Sequence, residues 1–121
     1  RWCNGRWRWN RETEMRQVSI AKEFSRTPGG RYLADGPYSG EEFREKYLLP
    51  AMHLDGVEVI LDGAAGYPSS FLEEAFGGLR RRGIPLEAIE NKLRIASHSP
   101  EYDRYVGRIW KYIKEAKGGN S

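Results

Sequence analysis

Two adjacent serines lie where the sequence predicts the start of a helix. Ser69 and Ser70 follow an apolar strand predicted at 57–61 and a glycine-containing loop at 62–68. The first N–H groups of a helix have no partner within it, and the helix dipole favours an anion at that end. A serine hydroxyl there either caps the helix or accepts a phosphate, which adds nearly two negative charges. The spacing therefore predicts a helix cap, an anion site or a phosphorylation site.

The side chains that usually carry enzyme chemistry are scattered along the chain. Its two histidines, His53 and His98, are far apart and lack metal-ligand spacing. The single cysteine, Cys3, has no obvious activating base nearby. Ser70, His98 and Asp62 can be written down as a triad, but any chain of this length offers such trios. We therefore expect no catalytic residue, no metal site and no cofactor.

An acidic pair, Glu73 and Glu74, follows the two serines. Adjacent residues on a helix point in different directions, so the pair is a poor acid/base couple. Carboxylates near a helix start stabilise it by interacting with its dipole. We interpret the pair as charges of the first helical turns.

The chain is basic, with 20 Lys and Arg against 17 Asp and Glu and a sequence pI near 9.1. Residues 1–14 hold four arginines and two glutamates, so they carry two of the three net positive charges, and they hold three of the four tryptophans. The remainder is nearly neutral. An alternative function is nucleic-acid or nucleotide binding through Arg80, Arg81 and Arg82, the N-terminal Arg/Trp segment and the loop at 63–66. The three arginines are also typical of a solvated helix end.

Length and composition limit the class of protein. A chain of 121 residues is one domain's worth of material, and a lone cysteine cannot form an internal disulfide, which favours a reducing cytoplasm. No apolar run approaches the ~20 residues of a membrane span, and no signal-peptide hydrophobic region follows the first arginines. We expect a cytoplasmic domain at 15–117, preceded by an Arg/Trp-rich tail or extension at 1–14 and followed by a disordered end at 118–121.

The apolar periodicity predicts an α/β fold. The predicted order is strand, strand, helix, strand, helix, short helix, strand, helix, which favours a small mixed β-sheet with helices packed mainly on one side. The strands are predicted at 17–20, 31–34, 57–61 and 92–96, the second as a hairpin partner of the first. The strand at 57–61 is apolar and β-branched, which is typical of a central strand.

Capping motifs predict where the two longest internal helices begin. Ser39 with Glu42, and Ser70 with Glu73, have the spacing of capping boxes. Pro50 lacks an N–H group and should kink or break the first of these helices near residue 49.

The run from Asp62 to Leu79, DGAAGYPSSFLEEAFGGL, resembles the STAS-like domain family of unknown function. That family shares an acidic residue at the end of a strand, followed by a helix start of the Ser-Phe-Leu/Ala-Glu-Glu-Phe-Gly type. Supporting pieces are Ile-Ala-Lys-Glu-Phe at 20–24, Gly-Arg-Tyr at 30–32 and Gly-Pro-Tyr-Ser-Gly at 36–40. The resemblance covers roughly residues 17–115 and implies a STAS-like fold.

The resemblance also implies a regulatory role. Well-understood STAS proteins are anti-sigma-factor antagonists of bacteria, in which a histidine-kinase-like ATPase phosphorylates a serine and thereby breaks the partner complex. Ser69 matches the phosphorylated serine of their Asp-Ser-Ser-Gly pattern and Ser70 the next one, whereas Pro68 replaces the Asp and Phe71 the Gly. A buried Phe71 would leave Ser70 as a structural cap and Ser69 as the exposed hydroxyl.

The resemblance therefore implies a non-enzymatic module that binds a protein partner, with the ATPase as the candidate. The partner-binding surface would surround the helix that begins at the serines. Its expected members are Asp62, Tyr67, Glu73, Glu74, Arg80 and Arg81.

Overall fold

Four strands form one sheet within residues 8–10 and 15–116, the part of the chain that the computed structural model describes. They are β1 (Arg8–Asn10), β2 (Met15–Ser19), β3 (Val57–Ile60) and β4 (Leu93–Ala96), in that spatial order. β1 runs antiparallel to β2, whereas β2, β3 and β4 are parallel. The predicted mixed sheet is confirmed, and the apolar strand β3 lies between β2 and β4.

Helices and single turns fill the connections between the parallel strands. The helices are α1 (Ile20–Phe24), a single π-helical turn; α2, built of Gly40–Phe43, Arg44–Leu48 and Leu49–Met52; α3, built of Ser69–Leu72, Glu73–Gly77 and Gly78–Arg81; α4 (Leu86–Lys92); and α5 (Asp103–Glu115). The middle segments of α2 and α3 are π-helical. Short 3₁₀ turns lie at Leu33–Asp35 and Pro100–Tyr102.

The sheet has one apolar and one polar face. Val18 and Val59 are in register on β2 and β3 and are almost fully buried in the core shared with the helices. Side chains alternate along a strand, so the preceding pair, Gln17 and Glu58, points to the other face, where Gln17 Nε2 donates to Glu58 Oε1 at 2.8 Å. α3 lies between α2 and α5 in one helical layer. The expectation of helices mainly on one side is confirmed.

Aromatic rings from α2 and α3 join these two helices. Phe43, Phe71 and Phe76 are fully buried. The Phe43 ring centroid lies 6.1 Å from that of Phe71 and 6.2 Å from that of Phe76. Burial of each phenyl side chain contributes about 1.5–3 kcal/mol. This cluster fixes the first turn of α3, and with it the two serines.

The strand predicted at 31–34 is wrong. This segment is a loop with a 3₁₀ turn, and the Asp35 side chain closes it by accepting the N–H groups of Arg31 at 3.1 Å and Tyr32 at 2.9 Å. A local carboxylate thus takes the main-chain donors that a neighbouring strand would otherwise have used.

The start of α2 follows the prediction, and its middle differs. Ser39 Oγ accepts the N–H of Glu42 at 3.1 Å, as expected for an N-cap, while Glu42 Oε1 accepts the N–H of Tyr38. Pro50 does not end the helix. The turn before it widens instead, so that Leu49 N–H bonds to the carbonyl of Arg44, five residues back.

The N-terminal extension is described only at Arg8–Asn10. These three residues pair with Met15–Gln17 of β2, so the sheet includes part of the segment that the sequence pattern assigned to a tail. The other predictions for residues 1–14, and that for 118–121, lie outside the described residues.

Candidate functional site

Asp62, two residues after the end of β3, links this strand end to the segment that precedes α5. Its carboxylate accepts the main-chain N–H of His98 at 2.8 Å and that of Ser99 at 2.9 Å. Partial burial raises the pKa of Asp62, but these hydrogen bonds outweigh the burial and hold the pKa below its ordinary value. The triad that can be written from the sequence is not formed, because Asp62 holds the backbone of His98 rather than its imidazole.

Two tyrosine hydroxyls hold the loop that follows Asp62. Tyr67 is buried, and its hydroxyl donates to the carbonyl of Leu61 at 2.6 Å. The Tyr102 hydroxyl donates to the carbonyl of Ala64 at 2.7 Å and accepts the N–H of Gly63 at 3.2 Å. Burial raises the pKa of Tyr67. Tyr67 is therefore a support of the loop, and its buried side chain offers little area to the partner-binding surface to which the sequence analysis assigned it.

The main-chain donors of this loop are partly used within the protein. The N–H of Gly63 bonds to Tyr102, and the N–H of Ala65 donates to the carbonyl of Arg26 at 2.8 Å. A phosphate cradle needs several such donors directed at one point. The loop at 63–66 therefore lacks two of the donors that a nucleotide-binding function would require.

The helix α3 begins one residue earlier than the predicted cap. Pro68 takes the N-cap position, Ser69 is the first helical residue, and no side chain caps the helix. The Ser70–Glu73 capping box is therefore wrong. Ser69 is exposed, Ser70 is half-buried and Phe71 is fully buried, so the burial predicted for Phe71 and the exposure predicted for Ser69 are both confirmed.

Arginines from three parts of the chain surround the acidic pair of α3. Glu73 pairs with Arg31 at 2.5 Å and with Arg81 at 2.7 Å. Glu74 pairs with Arg44 at 2.6 Å and with Arg81 at 3.2 Å. Burial raises the pKa of Glu73, but the two arginines outweigh it and lower the pKa below its usual value. The pair does more than complement the helix dipole, since it ties α3 to α2 and to the loop at 29–38.

Glu74 and Arg44 form the buried part of this cluster. Each side chain is under a tenth exposed, and Arg44 also donates to the main-chain carbonyl of Glu74 at 2.9 Å. Gly78 makes the space for it, because a Cβ on Gly78 would collide with Arg44 Nη1. Glu74 therefore offers little area to the partner-binding surface to which the sequence analysis assigned it.

The three arginines at the end of α3 all have partners in the fold. Arg80 donates to the carbonyl of Ile113 in α5 at 3.0 Å. Arg81 pairs with the acidic residues of its own helix, and Arg82 reaches Glu45 of α2 at 3.1 Å. Nucleic-acid binding would require phosphates to compete with these contacts.

A family model described as STAS-like domain of unknown function (DUF4325) matches residues 39–103. This range is more than half of the 121 residues, and it contains the serines, the acidic pair and the buried arginine. The chain belongs to this family. The match begins at the N-cap of α2 and ends at the first residue of α5, so it is narrower than the resemblance over 17–115. No curated protein and no solved structure shows a significant match to the chain.

The STAS-like motif at the start of α3 is mostly structural. Phe71 packs in the aromatic cluster, Glu74 pairs with Arg44, and Gly78 leaves room for that arginine. Sequence analysis missed Arg44. A signal for it exists, because Arg44, Leu48 and Ala51 share one face of α2 by their spacing. Ser69 is left as an exposed polar residue of the motif, and its hydroxyl makes no hydrogen bond within the described part of the chain.

A cavity of about 210 Å³ lies beside the loop of this STAS-like domain. Its lining includes Gly66, Glu101, Arg104 and Tyr105. Arg104 donates to the Tyr105 hydroxyl at 3.0 Å and thereby lowers the pKa of Tyr105. Glu101, Arg104 and Tyr105 were not identified as site residues from the sequence, whereas Gly66 belongs to the loop at 63–66 named there.

Residues 8–10 and 15–116 contain neither a cluster of metal-ligating side chains nor a membrane-spanning helix. Within them, no three His, Cys, Asp or Glu residues are grouped as a metal site would require. None of the helices described has the length and apolar character needed to cross a membrane.

Proposed function

We propose that this STAS-like domain is a non-enzymatic regulatory module that binds a protein partner and is switched by phosphorylation of Ser69. The observation that carries the proposal is the position of Ser69. It is exposed at the first helical position of α3, whereas the aromatic, acidic and glycine residues of the same motif are engaged in the fold.

Helix electrostatics support a phosphate at this position. The first N–H groups of α3 have no partner in the helix, and no side chain caps them. A phosphate on Ser69 would be favoured locally by the helix dipole, yet it would add nearly two negative charges to the surface. We expect the folded domain to tolerate this added negative charge. A partner bound at the start of α3 would instead face a more negative surface.

The arrangement of ionisable groups supports the non-enzymatic part. Asp62 is engaged with main-chain N–H groups, and Glu73 and Glu74 with arginines. A general acid or base needs access to a substrate proton. These carboxylates connect parts of the fold to one another and are not directed at a substrate. Their contacts therefore favour a binding function over a catalytic one.

The test uses the full chain, ATP and a histidine-kinase-like ATPase of the anti-sigma type. We expect one phosphoryl group per chain, and peptide mapping should place it on Ser69. Ser69→Ala should abolish the modification, whereas the matched variant Ser70→Ala should retain it. Absence of phosphate from both serines, with a Ser69→Glu variant that binds the ATPase as the wild type does, would overturn the switch.

A further inference from the structure

A glycine within α5 has no steric or conformational role among the residues that the structure describes. Gly107 lies within the continuous helix Asp103–Glu115 and is exposed. A Cβ at this position would meet no atom within 4 Å, and the backbone is not left-handed there. Glycine weakens a helix interior relative to alanine. The fold would therefore accept a larger residue, and no contact among residues 8–10 and 15–116 requires a glycine there.

Cations surround this glycine on the exposed side of α5. Arg104, Arg108, Lys111 and Lys114 are all exposed, and the acidic residues of α5, Asp103 and Glu115, are exposed at its two ends. Arg104 and Lys111 are one helical turn before and after Gly107. Within residues 8–10 and 15–116, none of the four cations forms a salt bridge, in contrast to Arg44, Arg81 and Arg82 in the helical layer.

An apolar ring borders the same face. Trp110 lies one turn after Gly107 and is half-buried against the core. It lines an open cavity of about 350 Å³ together with Glu90 and Lys114. Tryptophan and arginine are the residue types most enriched among the strongest contacts of protein interfaces. This face thus combines positive charge, an open recess beside the indole ring of Trp110, and a helix position, Gly107, where no side chain keeps another main chain at a distance.

We propose that the α5 face, formed by Arg104, Gly107, Trp110, Lys111 and Lys114, binds an acidic amphipathic helix of a protein partner. Carboxylates of that helix would pair with the cations. Its main chain would cross α5 at Gly107, where the absence of a side chain permits a shorter distance between the two helix axes. One apolar side chain would enter the recess beside Trp110.

Two features favour an acidic helix over a nucleic acid. Arg104 and Lys111 are seven residues apart, which spans roughly 10 Å, or two turns of a partner helix. The nearby arginines of α3 are occupied by contacts in the fold, so the positive surface does not continue as the stripe that a polyanion follows. The Trp110 recess adds an apolar contact that phosphates would not use. This surface goes beyond the proposed function and does not depend on Ser69.

The first test measures binding of a labelled synthetic helix with Glu at positions i, i+4 and i+7 and one Leu on the same face. Fluorescence anisotropy at low salt should show saturable binding by the full chain. Gly107→Ala should weaken binding roughly tenfold while raising the melting temperature by a few degrees. If Gly107 had only a structural role, the substitution would not weaken binding while it raises the melting temperature. Gly29→Ala is the matched control, because a Cβ at Gly29 also meets no atom.

Charge variants complete the test. Lys111→Ala should weaken binding of the helix, whereas Lys22→Ala, which removes an exposed lysine elsewhere, should not. The proposal is overturned if the helix does not bind, or if Gly107→Ala binds it as the wild type does. It is also overturned if duplex DNA binds more tightly than the helix and loses affinity in both Gly107→Ala and Lys111→Ala, since the face would then bind a polyanion.

Discussion

Arg44 donates to Glu74 at 2.6 Å, and this pair joins α2 to α3 where both side chains are withdrawn from water. The carbonyl of Glu74 accepts a second hydrogen bond from the same Nη1 atom. A buried ion pair gains little over an apolar pair of equal volume, but loss of one partner leaves an uncompensated charge. The two positions are therefore coupled, because a substitution at one changes the surroundings of the buried charge at the other.

Loss of one member of this pair should destabilise the fold strongly. We expect Glu74→Gln to lower the free energy of unfolding by about 1–3 kcal/mol, because the buried Arg44 would lose one of its two carboxylate partners and keep only Glu45. The double variant Arg44→Met/Glu74→Leu should be more stable than Glu74→Gln alone. Urea unfolding followed by circular dichroism measures both. A double variant that is less stable than Glu74→Gln would show that the pair is net stabilising.

Gly78→Ala should be destabilising although it adds only a methyl group. The new Cβ would occupy the position of Arg44 Nη1 and force the guanidinium out of its site. We expect a loss of about 2–4 kcal/mol, in the range of broken buried ion pairs and overpacked cores. Gly107→Ala, another exchange within a helix, should raise stability. Equal effects of the two substitutions on thermal unfolding would contradict this account of Gly78.

The stability of the domain should fall in acid. Arginines hold the pKa values of Glu45 and Glu73 below their ordinary range, and main-chain N–H groups do the same for Asp62. A carboxyl with a lowered pKa in the folded state contributes stability above its unfolded pKa, and this stability is lost as the pH falls through the folded pKa.

The loss should therefore begin near pH 5 and continue downward. Urea unfolding at a series of pH values measures it. In Asp62→Asn the fall should be shallower, because one of the contributing carboxylates is gone. Glu87→Gln, at an exposed glutamate of α4, should keep the wild-type slope. An unchanged slope in Asp62→Asn would contradict the role of the main-chain hydrogen bonds.

The two neighbours of Ser70 in the first turn of α3, Ser69 and Phe71, should respond to substitution in opposite ways. Ser69→Asp should raise the free energy of unfolding by about 0.3–1 kcal/mol, since it places a negative charge at the start of a helix. Phe71→Ala should lower it by about 3–5 kcal/mol, because it empties a fully buried site. Thermal unfolding separates the two. A destabilising Ser69→Asp would argue against a phosphate being tolerated there.

Local patterns in the sequence determined the order of most elements and the class of the fold. Three signals were local: the β-branched run of β3, the serine before α2, and the apolar periodicity of α3 and α5. Each depends only on residues a few positions apart, so it can be recognised in the sequence itself. The STAS-like motif was visible for the same reason. The strand predicted at 31–34 failed because the Asp35 carboxylate competes for the local N–H groups.

Only the tertiary structure decided which polar residues meet. Arg44 and Glu74 are separated by 30 positions and Asp62 and His98 by 36, and no local pattern specifies such pairings. Burial of Tyr67 and Glu74 likewise depends on how α2, α3 and α5 pack, because a side chain is withdrawn from water only by residues distant in the chain. The sequence alone thus located the motif and its exposed serine, whereas packing showed that most of that motif stabilises the fold.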